Sequence, residues 1–209
     1  MPEILELLAS PVHRFGGRPS DGPAPAPPGE LVASVRIRAG LGIVGDRYFG
    51  RPAHRDASIT VIDAASLLAA SSLSAASPQP AASPLPAAPP QPAAPPLPAA
   101  SPLPAASPLP AASPLPAGAG LLAVRRNILL SGVPVDDLVG QILTLDSGDG
   151  PVRLMVNRKA HPCAWMDVTV APGAWKALRG KGGVRCTPLD DGVLRVGPVV
   201  ASVHPPLPA

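Results

Sequence analysis

Nine residues, Asn157-Arg158-Lys159-Ala160-His161-Pro162-Cys163-Ala164-Trp165, gather the chemistry that this chain could perform. They include one of only two cysteines, an imidazole two residues before the thiol, and two cations just upstream. A thiol attacks or binds metal as the thiolate, which neighbouring positive charge favours. Pro162 fixes its own φ and biases His161 toward extended backbone, so the segment reads as one that presents Cys163. The other reading is a small buried apolar residue, which is how most free cysteines behave. Local sequence leaves both open, and the rest of the chain has to decide.

The segments that must position this one are short and apolar. Ile4 to Val12 fits an opening strand stopped by Pro11, and a Gly/Pro-rich loop follows from Gly16 to Gly29. Leu31 to Arg38 alternates, with Leu31, Ala33, Val35 and Ile37 on one face, the pattern of a half-buried strand. Gly40 to Gly50 is a glycine-rich loop suited either to close approach of a ligand or to a β-turn whose Asp46 caps its own backbone. Its spacing is not that of a dinucleotide fingerprint. Ser58 to Asp63 is a strand candidate and Ala64 to Leu73 a weak helix. Val124 to Gly132 reads as a strand opened by Arg125, Arg126 and Asn127, and Leu138 to Leu145 as a turn entering a strand. Val152 to Val156 is the strand that delivers the Cys163 segment, and Pro172 to Leu178 a short helix. Gly182 to Thr187 and Val193 to Val200 predict a hairpin turning at Asp190-Asp191-Gly192. Many short strands with turn signals and little helix imply a mostly β fold of barrel type.

Composition narrows the function classes. Seventeen basic residues face 14 acidic ones, for a net charge of +3, and the arginines are scattered or paired. A nucleic-acid binder carries a denser basic stripe, so none is expected here, and small anionic ligands suit the pattern better. The start, Met1-Pro2-Glu3-Ile4-Leu5-Glu6, lacks the positive region of a signal peptide. No run of roughly 18 apolar residues free of Pro or charge predicts a membrane span. Two cysteines are too few for a disulfide framework, and the expected compartment is a reducing cytoplasm.

Prolines number 33, and 16 of them belong to one array. Residues 75–116 are seven copies of Ala-Ala-(Ser/Pro)-Pro-(Leu/Gln)-Pro. Such a run cannot sustain a helix or a sheet ladder and favours polyproline II. No residue in the hexad supplies a stacking core, so it predicts a disordered Pro/Ala-rich insertion rather than a solenoid. The domain is then divided between residues 1–74 and 117–204, with 205–209 a disordered tail.

Taken in order, these residues resemble a known family. Gly45-Asp46-Arg47-Tyr48, His54, Thr60, Arg125-Arg126-Asn127-Ile128 and Ser131-Gly132 resemble the MOSC domain, the molybdenum cofactor sulfurase C-terminal domain. So do Leu138-Val139-Gly140, Pro162-Cys163 and Leu178-Arg179-Gly180-Lys181-Gly182-Gly183, followed by Val196-Gly197. The likeness runs from about Ile4 to Val203, interrupted by the array, and is to the short stand-alone bacterial members. It implies a distorted β-barrel with a few short helices that binds molybdenum cofactor or carries sulfur for it. Cys163 would be the metal ligand or the persulfide carrier, and the reaction sulfur transfer or molybdenum-dependent reduction of N-hydroxylated compounds. A redox or sulfur-donor protein partner is then expected. Three departures stand out. His161 precedes Pro162-Cys163 where an acidic or small polar residue is common, Gly197-Pro198 replaces Gly-Asp, and the array replaces a short link.

Elementary chemistry agrees with that expectation. A thiolate is a suitable soft ligand for molybdenum, and sulfur transfer needs the same accessible thiolate. A pterin cofactor carries a phosphate that Arg125 or Arg126 could clamp; neighbouring strand residues face opposite ways, so one of the two is expected to line the pocket, with Arg126 named first. Asn127 offers amide hydrogen bonds to a pterin edge or a cap to its own turn. Asp46, Arg47, Thr60 and His54 complete the candidate set. Pyridoxal phosphate has no segment here to hold it. The competing reading is a non-catalytic β-barrel module with an anion pocket, tethered to a partner by the proline array.

Overall fold

The computed structural model describes residues 1–73 and 120–206. The hexapeptide array assigned to 75–116 lies outside the described residues, as do the last three residues of the tail. The chain runs through β1 (Glu3–Leu7), β2 (Ser34–Arg38), β3 (Gly42–Ile43), β4 (Ile59–Asp63), α1 (Ala64–Ser71) and α2 (Leu121–Val124). It continues through β5 (Ile128–Ser131), β6 (Ile142–Asp146), β7 (Pro151–Lys159), α3 (Trp165–Thr169) and α4 (Ala174–Ala177). The final strands are β8 (Val184–Pro188), β9 (Gly192–Arg195), β10 (Gly197–Pro198) and β11 (Val200–His204).

Eight strands form one sheet in the order β10-β1-β5-β4-β8-β7-β6-β11, and β3-β2-β9 form a second. The two edges of the large sheet are β10 and β11, with Val199 alone between them in the chain. Edges that share a chain in this way must lie side by side, which bends the sheet into a nearly closed barrel. The fold is mostly β with a few short helices, as the strand pattern implied. Within the large sheet, only β4 and β5 run parallel. A parallel pair needs a long crossover, and here that connection contains α1, the array and α2.

Alternation in sequence becomes two separate cores. Val152, Leu154 and Val156 of β7 point into the barrel with Ile4, Ile59, Val61, Ile128, Leu130, Val184 and Cys186. Ile62 and Leu129 face the other way and are covered by Leu67, Leu121, Trp165, Met166, Ala174 and Leu178 from the helices. The central strands β4 and β5 are thus buried on both faces. Fully burying a Leu or Ile side chain stabilises by roughly 1.5–3 kcal/mol, so this doubly packed pair is the rigid part of the molecule.

Two local expectations fail for identifiable reasons. The hairpin between residues 182–187 and 193–200 does not form, because β8 already has β4 and β7 on its two edges. β9 pairs with β2 instead. The Asp190-Asp191 turn is held apart by other partners: Asp190 accepts from the Arg153 backbone and guanidinium, and Asp191 from Ala39 N–H. The strand expected from Val124 begins only at Ile128, since Leu121–Val124 forms a helical turn that ends with Arg125 left-handed at φ 55°.

Candidate functional site: the Cys163 turn and its arginines

The chain leaves β7 at Lys159 and turns through Ala160-His161-Pro162 before α3 begins. Ala160 N–H donates to the Gly183 carbonyl at 2.7 Å, and Met166 N–H to the Cys163 carbonyl at 2.9 Å. Trp165 is buried and stacks on Phe15, with ring centroids 5.1 Å apart, which ties this turn to the N-terminal loop. Cys163 is exposed on this fixed turn. Cys186, on β8, is fully buried, and burial pushes its thiol up to about 12. Both cysteines are free.

Facing the turn is Gly180 to Gly183. A Cβ on Gly182 would fall 2.3 Å from the Ala160 carbonyl oxygen, so the two backbones touch where a side chain cannot fit. Arg126 bridges the same contact. Its Nε donates to Gly182 O at 3.0 Å, and its Nη2 to Ala160 O at 3.3 Å and His161 O at 3.2 Å. Burial, and then the neighbouring Arg185, pull the Arg126 guanidinium down to about 10, while Cys163 and Tyr48 act in the opposite direction. Arg126, a residue distant in sequence, is therefore a cation within electrostatic reach of Cys163.

Asp46, Thr60 and Asn127 are buried and joined to one another. Asn127 Oδ1 accepts from Thr60 N–H at 3.0 Å and Thr60 Oγ1 at 2.8 Å, and Asn127 Nδ2 donates to Asp46 Oδ2 at 3.1 Å. Asp46 also accepts from Tyr48 N–H and Ser10 N–H. This chain fixes the Asp46 loop against the Asn127 segment, and the residues next to each, Arg47 and Arg126, are held in electrostatic reach of each other. Arg47 lies over the Tyr48 ring at 4.5 Å, and Tyr48 in turn contacts His54 with ring centroids 4.3 Å apart.

The guanidinium of Arg47 is 11% exposed, and Asp46 lies 3.9 Å from its Nη1. Among the described residues, its buried Nε and Nη1 nonetheless have no hydrogen-bond partner. Arg185, opposite Thr60 on β4 and Arg158 on β7, is half-buried. Burial and then Arg158 lower its pKa, with Arg47 adding to the effect. Among the described residues, neither Arg126 nor Arg185 forms an ion pair. Three crowded cations with unspent donors are the environment that a phosphate or similar anion would relieve.

Arg125 is turned away from this cluster. Its Nη1 donates to both Glu30 carboxylate oxygens at 2.8 and 2.9 Å, and its Nη2 to Ser10 Oγ at 2.8 Å and Val12 O at 3.0 Å. Ser10 Oγ also donates to Glu30. The two arginines diverge as expected, although the cause is the left-handed Arg125 and not strand alternation.

Among the described residues, no three His, Cys, Asp or Glu side chains come together as they would to hold a metal ion unaided. A surface groove of about 270 Å³ lies between β2 and the start of β9, lined by Arg36, Arg38 and Asp191, and shares no residue with the Cys163 surround.

No protein-family model and no curated protein sequence matches the chain. Solved structures do. The YuaD protein of Bacillus subtilis superposes with a TM-score of 0.56 over 99% of this chain and 97% of its own, at 14% identity. YiiM of Geobacillus stearothermophilus superposes with a TM-score of 0.50 over 97% of this chain and 75% of its own, at 15% identity. The fold is MOSC-like.

Within this MOSC-like fold, sequence reasoning missed Arg185, His13 and Glu30, and named Tyr48 only as part of a motif. Arg185 had a signal: it is a charge between buried Val184 and Cys186 on a strand paired at both edges. His13 had none, since only the folded loop brings it near Arg47 and Arg125, which add to burial in lowering its pKa. The Gly182-Gly183 pair carries its own prediction. Gly183 sits at φ +87°, and a Cβ there would meet the Val61 carbonyl oxygen at 2.2 Å. Gly183→Ala should destabilise the chain by about 2–4 kcal/mol, read from urea unfolding.

Proposed function

We propose that the chain binds a phosphate-bearing molybdenum cofactor and works through Cys163, in sulfur transfer or in molybdenum-dependent reduction of N-hydroxylated compounds. The observation that carries this reading is the pair of buried Arg47 nitrogens that make no hydrogen bond among the described residues, set in a cation cluster that extends through Arg126 to the turn of an exposed thiol. The residues present fit such a group: the guanidiniums of Arg47, Arg126 and Arg185 suit a phosphate, and Cys163 suits a soft metal. When bound, the group would supply a metal centre open to one thiolate and capable of redox chemistry. Cys163 offers that thiolate, or a sulfur atom to be passed on. The chain of Asp46, Asn127 and Thr60 keeps the arginines in register, and the Tyr48–His54 pair packs beside Arg47. The partners are a small-molecule substrate and a protein that donates electrons or sulfur.

Protein expressed in a host that makes the cofactor should carry close to one molybdenum per chain by metal analysis. Cys163→Ser exchanges a soft ligand for a hard one and should lose most of the metal while keeping its thermal midpoint. Arg47→Ala should weaken retention by roughly one to two orders of magnitude, the worth of charge-assisted bonds of about 1.5–3 kcal/mol. Wild-type protein free of molybdenum would sink the proposal. If that protein still binds inorganic phosphate, the non-catalytic anion-binding module takes its place.

A further inference from the structure

We propose that Arg126 is the positioning residue of the Cys163 thiol, its guanidinium locking the turn that presents the sulfur. The inference rests on the reading of Cys163 as the functional thiol. One planar fork gathers three carbonyls from two segments, Gly182 on one side and Ala160 and His161 on the other. Carbonyls aimed at one point repel unless a cation stands between them, so the guanidinium stabilises a convergence that the backbone alone resists. The convergence is built in, because the missing Cβ of Gly182 lets its backbone touch Ala160 and Pro162. Pro162 stiffens the remaining step, leaving two residues between the clamped Ala160 and Cys163.

The division of labour on the fork is specific. Nε and Nη2 are spent on the turn, while Nη1 makes no hydrogen bond among the described residues. Arg126 can therefore hold the thiol turn with one edge and meet an anion with the other. A lysine would keep the charge but donates from a single nitrogen and cannot reproduce the fork. Geometry and charge are thus separable by substitution.

The test uses the full chain carrying Arg126→Ala or Arg126→Lys. Two readouts are needed: the rate of Cys163 alkylation by iodoacetamide at one fixed pH, and hydrogen exchange of the Ala160 and Met166 amides, which donate to the Gly183 and Cys163 carbonyls. Arg126→Ala should slow alkylation of Cys163 and speed exchange by about tenfold, the equivalent of one net hydrogen bond. Arg126→Lys keeps the charge without the fork and should show the same two changes. If Arg126→Ala folds and leaves both readouts at wild-type values, the proposal is overturned. If it does not fold, Arg126→Lys decides, with wild-type exchange rates overturning the clamp. Neither readout depends on molybdenum, so a failed cofactor reading and a failed positioning role give different results.

Discussion

Arg125→Ala should cost about 3–5 kcal/mol of folding stability, because it strands a buried carboxylate without its cation. The side chains of Arg125 and Glu30 are 5% and 1% exposed. Glu30 would keep only the hydroxyl of Ser10 as a partner. Urea unfolding of the single variant measures the loss. A double variant, Arg125→Met with Glu30→Leu, removes both charges together and should recover most of it, since well-packed apolar replacements of buried ion pairs are often neutral. A single variant within about 1 kcal/mol of wild type would show that the pair is solvated in solution. This is the opposite of what the sequence suggests for a residue in an Arg-Arg-Asn motif, where a cofactor contact is expected and little stability is at stake.

The second large effect separates the two thiols. Burial raises the Cys186 thiol to about 12, so at pH 8 roughly one molecule in 10⁴ carries the thiolate there, before any cost of opening the barrel. Cys163 is exposed and coupled to Arg126. Iodoacetamide should therefore modify Cys163 at least ~10³-fold faster than Cys186, read by mass spectrometry of the digested chain. Equal and slow labelling would contradict the exposed thiol and with it the proposed function. The same burial has a consequence at high pH. The unfolded chain releases the Cys186 proton near the ordinary value of 9.0, whereas the folded chain holds it to about 12. Stability from this group is complete below the lower value and is lost as pH rises through the window between them.

What the sequence disclosed follows from the range of the forces involved. Alternation of Val35 and Ile37 against Ser34, Arg36 and Arg38 is a local signal, and the strand follows it residue by residue. The barrel was legible for the same reason, through many short alternating segments. Partner choice was not, because it depends on which edges are already occupied. Nothing near Asp190 to Gly192 announces that β8 is flanked on both sides. The site shows the same division. Cys163 could be singled out from its own neighbours, but the expected cations, Arg158 and Lys159, were local ones. The residue that clamps the Cys163 turn is Arg126, brought there by the order of β5, β4 and β8 in the sheet. Asp46, Thr60 and Asn127 could be picked out as a set, while their hydrogen bonds to one another exist only after residues 67 and 81 positions apart have met.

The single residue between β10 and β11 sets the order in which this molecule can be completed. Emerging from the ribosome, the chain exposes the free edge of β1 and the free edge of β6 until Gly197 to His204 arrives to cover both. Unpaired edges of this kind recruit strands from other molecules. A nascent or prematurely stopped chain is therefore sticky at two places at once, and the same eight residues relieve both. The polypeptide seam that shuts the barrel thus also acts as its safeguard against association with neighbouring chains during synthesis.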